Sequence, residues 1–348
     1  MSRNAPARPR TVLGLSSGSV HGNSETLLME ALSAARDTGA TVEIIRVGDL
    51  TVPPRAHVGG PDALGQEQTE NDGAFLWEHL LRCDGLIIAS PIYSRCPPGK
   101  LKAMGDAVLG PQADVAFQLE LKRLKEAGDP RGTRANIDER IFKPRAGGFI
   151  AVGGAISPEW VSFGLPLLHI MTFSMQIAVV DQIQVLGFGM PGAASLDEES
   201  VARARALGRD VALQAGLPYD EVEYHGEPGI CPDCNLSMMI LRGREAECAV
   251  CGMRGKIEID GDDVAVSFPE SERHRSILTI EGKKLHFDEL MQVSAAERPR
   301  AAAILAARDR YAEWDALVVR PPVEGEPPTR LSVQPTEFYF PTAHPEGG

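Results

Sequence analysis

The segment Ser16-Ser17-Gly18-Ser19-Val20-His21-Gly22-Asn23-Ser24 joins an apolar run, Thr11 to Leu15, to a helical run that begins near Glu25. Unpaired backbone N–H groups at a helix N-terminus carry partial positive charge, and serine and asparagine side chains add hydrogen bonds, so this loop suits a phosphate. No P-loop lysine follows its glycines and G-x-G-x-x-G is absent, which argues against a nucleoside triphosphate or a dinucleotide and for a phosphate monoester. A second group of residues is farther along. Cys231-Pro232-Asp233-Cys234 and Cys248-Ala249-Val250-Cys251 are two C-x-x-C pairs separated by thirteen residues. Four thiolates at that spacing saturate one tetrahedral ion and leave no open position, the pattern of a structural zinc site. Iron in a rubredoxin-like setting is the alternative metal; the scarcity of aromatic residues around the two pairs favours zinc.

The elements that must position these groups alternate between strand and helix. Runs at Thr11–Leu15, Thr41–Val47, Gly85–Ser90, Gly148–Val152 and Ala178–Val185 read as five strands, the third apolar throughout as a strand covered on both faces requires. Between and after them, helical patterns are expected from Glu25 to Ala35, Phe75 to Cys83, Pro98 to Leu109, Ser157 to Met175 and Ser195 to Gln214. The fourth has an N-cap serine followed by Pro158, and the fifth has a Ser195-x-x-Glu198 capping box. This alternation implies an α/β fold with a doubly wound parallel sheet, and ligands in such sheets bind beyond the carboxyl ends of the strands. Residues 110–145 interrupt the pattern as an insertion, helical over 113–127 and charged loop over 128–145.

With 348 residues the chain is long enough for a domain over 11–216 and a smaller module over 217–290 that carries the cysteines and a hairpin around Asp260-Gly261. A helix over 291–320 (most clearly 295–317) and a Pro-rich tail over 321–348 follow, and residues 1–10 read as a disordered N-terminus. Phe338-Tyr339-Phe340 in the tail is expected to dock rather than float. Lys plus Arg number 35 against 48 Asp plus Glu, a net charge of −13, so nucleic acid and anionic membranes are disfavoured as partners. No stretch is apolar for the ~20 residues of a membrane span, and the N-terminus lacks a signal-peptide core; a cytoplasmic location is expected.

The segment after the third strand, Ser90-Pro91-Ile92-Tyr93-Ser94-Arg95-Cys96-Pro97-Pro98-Gly99-Lys100-Leu101-Lys102-Ala103-Met104-Gly105-Asp106, together with the Ser17–Ser24 loop, resembles the NAD(P)H-dependent FMN reductases of the flavodoxin-like superfamily. There the loops commonly read G-S-P-R-x-x-G-N-T and S-P-V-Y-W followed by G-x-L-K-x-x-x-D. The resemblance covers residues 10 to 215. It implies a flavodoxin-like five-stranded sheet and FMN, with the phosphate on Ser17, Ser19, Asn23 and Ser24, the ring against Pro91, Ile92 and Tyr93, and the Gly153-Gly154 turn closing over it. His21 is a further candidate for the phosphate. The chain departs from the pattern at Ser19, where the family has arginine, and at Ser94 and Arg95, where tryptophan and glycine are common.

Ser94, Arg95 and Cys96 are accordingly the candidates beside the reactive edge of the flavin, Arg95 as a clamp for an acidic substrate or a nucleotide phosphate. His57 and His79 have no partner at metal spacing and read as structural or surface residues, and Cys83 reads as core. The expected activity is hydride transfer from NAD(P)H through FMN to a small-molecule electron acceptor, a conjugated compound such as a quinone or nitro compound. By analogy with the family, a homodimer or higher homo-oligomer is expected. The alternatives are an electron-transfer flavoprotein fed by a protein donor, and a non-catalytic flavin-binding or assembly module.

Overall fold

Five parallel strands form the central sheet: β1 (Thr11–Ser16), β2 (Thr41–Arg46), β3 (Gly85–Pro91), β4 (Arg145–Val152) and β5 (Ile177–Val185), in the order β2-β1-β3-β4-β5. The computed structural model describes residues 9–52, 72–109, 113–133 and 135–317. The segment 53–71 with His57, the tail from 318 with Phe338-Tyr339-Phe340, and residues 1–8 lie outside the described residues. Arg10, placed by sequence in a disordered N-terminus, is anchored: its guanidinium donates to the carbonyls of Ala212 and Leu213, and its carbonyl accepts from the N–H of Thr41.

The helices in chain order are α1 (Asn23–Asp37), α2 (Gly73–Arg82), α3 (Gly99–Val108), α4 (Val115–Glu126), α5 (Pro130–Thr133), α6 (Gly164–Thr172), α7 (Glu198–Gln214), α8 (Ile280–Glu297) and α9 (Ala301–Asp309). Helices α1 and α7 cover one face of the sheet, burying Leu27, Leu28, Leu207 and Val211 against Val12, Ile87 and Ile150. They approach to backbone contact, because a Cβ at Gly208 would stand 1.9 Å from the carbonyl oxygen of Ala31. The other face packs against α2, α3 and α6 through Leu80, Leu101, Met104 and Leu168.

Several boundaries differ from the sequence reading, each for a local reason. Strand β4 begins at Arg145 rather than Gly148. That arginine is 1 % exposed and donates to the carbonyls of Leu80, Leu81, Arg140, Ile141 and Lys143, which satisfies its guanidinium without a carboxylate. The charged stretch before it holds the short helix α5 and a 3-10 turn, Glu139–Phe142. The expected helix from Ser157 is broken into a 3-10 turn, Pro158–Val161, and α6, which begins at Gly164; a Cβ there would meet the Ile92 side chain at 2.9 Å. Asp197, not Ser195, caps α7, accepting from the N–H of Ser200 at 2.9 Å, while Ser195 donates to the carbonyl of Gly192.

Strands β6 (Met239–Arg242), β7 (Glu245–Cys248), β8 (Arg254–Asp260) and β9 (Asp263–Ser267) form a separate antiparallel sheet in sequential order, with Gly261 at positive φ in the last turn. The buried cysteines beside this sheet join the same apolar core as Leu101 and Phe149. Helix α8 starts at Ile280, before the position expected, with the Thr279 hydroxyl accepting from the N–H of Gly282 at 3.0 Å; it ends ahead of Pro299, which cannot donate to a helix interior. One compact unit reaches Met291. A second begins at Gln292 and contains the end of α8, α9 and a 3-10 turn, Ala312–Leu317.

Candidate active site and metal centre

In this strand order the chain turns in opposite directions from β1 and β3, so the loops after these strands lie side by side at the carboxyl end of the sheet. They enclose a cavity of about 210 Å³ lined by Ser19, Asn23, Ser24, Pro91, Ile92 and Tyr93, with Gly154 from the loop after β4. No side chain caps α1, so its N-terminal donors are open to a ligand. The loop is tight: a Cβ at Gly18 would stand 2.5 Å from the Ser24 hydroxyl oxygen, and one at Gly22 would stand 2.5 Å from that of Ser19.

Other expected residues take different positions. Ser17 donates to the Ser90 hydroxyl at 2.8 Å and does not line the cavity. His21, exposed and at φ 56°, donates its backbone N–H to Glu25 instead of presenting its ring to the cavity. Gly153 faces the protein, since a Cβ there would meet Val161 Cγ1 at 2.3 Å, whereas Gly154 faces the cavity. Asn23 lines the cavity, yet its amide holds the neighbouring loop: Nδ2 donates to the carbonyls of Phe188 and Met190 at 2.9 Å each, and Oδ1 accepts from the N–H of Ala194 at 3.0 Å.

Beneath the loop that precedes α1 lies a buried carboxylate. Glu25 is fully buried and accepts from Arg46 Nε and Nη2, from the Ser16 hydroxyl and from the N–H of His21. Burial pushes its pKa upward, but these bonds, led by that from Arg46, outweigh it and hold the carboxyl below its ordinary value.

Ser94 and Arg95 form the centre of a two-residue turn in which Tyr93 and Cys96 exchange both backbone hydrogen bonds, at 2.9 and 3.0 Å. Both central residues have positive φ, 50° and 74°, as a type I′ turn demands. Neither side chain is one that adopts this conformation freely. The turn lifts the Arg95 guanidinium over the Trp160 ring, 5.6 Å from its centroid. Cys96 is exposed and does not line the cavity.

The four module cysteines converge. Cys231, Cys234, Cys248 and Cys251 are buried with their sulfurs all within 4.8 Å of one another. The Cys231–Cys251 and Cys234–Cys248 separations are 3.4 and 3.5 Å. A tetrahedron with ~2.3 Å metal–sulfur bonds has edges of ~3.8 Å, so the donor set fits one such ion. Each knuckle closes with a residue at positive φ, Asn235 and Gly252, and with backbone bonds back to Cys231 and Cys248. Gln182 on β5 fastens the cluster to the main sheet, donating to the carbonyls of Cys234 and Asn235 at 3.0 Å and bonding His169 Nε2 at 2.7 Å. Burial lowers the His169 pKa to about 4, so the ring is neutral.

Residues 10–118 match the family of NADPH-dependent FMN reductases. A flavone synthase of Aspergillus candidus is 35 % identical over 328 residues, covering 90 % of this chain and 98 % of that protein. The chain belongs to the FMN reductase family. A solved structure of a flavone reductase superposes with a TM-score of 0.71 at 25 % identity, over 90 % of this chain and all of that one. The protein is therefore a flavin-dependent NAD(P)H oxidoreductase, and each of these two relatives covers 90 % of its length.

Residues of this reductase that the sequence reading missed include Phe188, Gly189 and Pro191, which line the cavity from the loop after β5. Their signal was the glycine- and proline-rich run Gly187-Phe188-Gly189-Met190-Pro191-Gly192 at the carboxyl end of a strand. Trp160 under Arg95 carried no local signal. His79 is structural, bonding Glu43 at 2.7 Å, and Cys83 is fully buried. Among the described residues, no helix is long and apolar enough to cross a membrane.

Proposed function

We propose that the reductase holds the FMN phosphate on the N-terminus of α1 with the Ser19 and Ser24 hydroxyls, and the ring between Pro91–Tyr93 and Gly154. The uncapped helix end, the glycine-tight loop and the shared cavity support this placement. Bound FMN supplies hydride acceptance and donation; the protein supplies orientation and a shaped site. Arg95, fixed on its strained turn, presents a cation for the phosphate of a nicotinamide nucleotide or the acidic group of a substrate. Trp160 and Phe163, half-exposed after β4, offer aromatic surface to a planar molecule.

The acceptor we infer is an aromatic ketone with a conjugated carbon–carbon double bond. Both relatives with matching length are named for flavones, one as a synthase and one as a reductase, and interconversion at such a bond joins the two names. In the reducing direction NAD(P)H and a proton are consumed: one double-bond carbon gains hydride, the other gains the proton, and NAD(P)⁺ is released. The test is an anaerobic titration of the FMN-loaded protein with NADH and NADPH, followed by a flavone, menadione or a nitroarene. Bleaching by nucleotide, recovery with the flavone and appearance of its dihydro product support the reading. Recovery with menadione or the nitroarene alone moves the acceptor to those classes. Reduction by a protein donor but by neither nucleotide would sink the reductase mechanism in favour of electron transfer.

A homodimer or larger homo-oligomer is proposed as the working form. Exposed Val20, Tyr93, Ile156, Trp160, Met190 and Leu196 all lie in the loops after β1, β3, β4 and β5, those that build the cavity. A second copy covering them would bury apolar surface that a monomer leaves wet. Light scattering on the purified protein decides it: a monomer at micromolar concentration excludes the proposal. Zinc is the proposed ion at the cysteines, as a closed set of four sulfurs leaves no position for chemistry.

A further inference from the structure

A second cavity, of about 450 Å³, lies between α3, α4, α6 and α8 and shares no lining residue with the first. Its walls include Leu109, Phe117, Met171, Phe173, Phe287 and Leu290, and the Phe117 and Phe287 rings meet edge to face at 5.3 Å. Gln176, whose side chain holds one wall residue, immediately precedes β5, so this cavity is at the amino end of the sheet. The two cavities meet different parts of α6: a Cβ at Gly164 would touch Ile92 of the first, whereas Ile170, six residues on, lines the second.

Two polar groups in this apolar space are left incomplete. Lys283 is 2 % exposed, and its ammonium donates only to neutral oxygens, Gln176 Oε1 and the carbonyl of Leu278, at 3.0 Å each. Among the described residues no carboxylate is within ion-pair distance of it. Burial pushes its pKa down to about 8, which leaves it protonated at neutral pH. Ser174, also 2 % exposed and lining the cavity, has a hydroxyl with no hydrogen-bond partner. Of the acids on the cavity wall, Asp106 pairs with Lys102, while Asp114 caps α4 by accepting from the N–H of Phe117 and its charge acts on Lys283 without pairing with it. A buried cation with a donor to spare, an unsatisfied hydroxyl and aromatic walls match an anionic head on an apolar body.

We propose that this cavity is a second ligand site, for a small monocarboxylate with an apolar body, its carboxylate held by Lys283 and Ser174. The site is independent of the flavin cavity and of the reaction there.

Calorimetric titration of the full-length FMN-loaded protein with decanoate, and with 1-decanol as the uncharged match, tests it. One decanoate should bind per chain without altering the flavin spectrum, and 1-decanol should bind at least about tenfold more weakly, as expected for loss of a charge-assisted hydrogen bond. Lys283→Met should weaken decanoate by about the same factor. If that variant does not fold, Ile170→Trp, at a partly exposed wall position, fills the cavity without touching the lysine and should abolish binding at an unchanged melting temperature. Absence of saturable binding, equal affinity for 1-decanol, displacement of FMN by decanoate, or full binding by folded Lys283→Met or Ile170→Trp would each overturn the proposal.

Discussion

Glu25 and Arg46 form a two-pronged ion pair, at 2.9 and 3.0 Å, that ties the first turn of α1 to the end of β2 directly under the loop after β1. The carboxylate also takes the N–H of His21, so one buried acid fixes the helix and the loop that precedes it. Glu25→Gln should cost about 2 kcal/mol, below the usual loss for breaking a buried pair because the Arg46 side chain is 31 % exposed. The folded-state pKa of Glu25 is depressed, so its contribution is present above the ordinary value of 4.5 and is lost as pH falls through the lower folded value. Denaturant titrations of both proteins should show the gap at pH 7 and its closure in strong acid; a gap constant down to pH 2 contradicts the assignment.

Ser24→Ala and Asn23→Ala should separate two ways of losing FMN. Removing one hydroxyl from a bound phosphate should weaken affinity by about 1.5–3 kcal/mol and leave backbone dynamics alone. Removing the Asn23 amide also frees the loop at 188–194, which it holds by three bonds. Hydrogen exchange across that loop should rise in Asn23→Ala only. Equal exchange in both variants would show that the loop does not depend on this side chain.

The adjacent glycines after β4 should respond differently to valine. Gly153→Val drives a side chain into Val161, so the melting temperature should fall, as overpacking costs about 1–3 kcal/mol. At Gly154 a Cβ meets only Gly189 Cα at 3.7 Å and the carbonyl oxygen of Phe188 at 3.8 Å, ordinary contacts. Gly154→Val should therefore fold normally and lose FMN affinity. Thermal melts and flavin fluorescence titrations on the pair give the comparison.

Elemental analysis should return one zinc per chain, and Cys231→Ser or chelation should lower the melting temperature of the whole compact unit in one transition. The expectation of one transition follows from the cysteines sharing a core with Leu101 and Phe149, and from the Gln182 bonds to Cys234 and Asn235. Independent melting of the module would contradict it. Stoichiometric iron would favour the electron-transfer alternative.

All five parallel strands were legible because their apolar runs are long and bounded by turn residues, and the four cysteines because their spacing has few other uses. The loops of the site were legible where a local motif carried them, as at Ser19, Ser24 and Tyr93. What escaped depends on distant partners. Nothing near Arg145 indicates that five carbonyls await its side chain, and nothing near Asn23 indicates that its amide also holds Phe188, Met190 and Ala194. Ser195 reads as the cap of α7, yet the turn at Gly192 engages its hydroxyl and Asp197 takes that role.

Gly208 has a reach beyond its own packing. The backbone contact it permits with Ala31 seats α1 on α7, and Ala31 is eight residues, or about 12 Å, from the end of α1 that faces the cavity. Helix α1 is thus a lever whose fulcrum is a missing methyl group. Adding that methyl would tilt the lever, and the misfit would be felt at the tip, among the open N–H groups. Cofactor retention in this enzyme is accordingly vulnerable at a position no cofactor touches, and a screen for flavin loss would find Gly208 among residues it had no chemical reason to suspect.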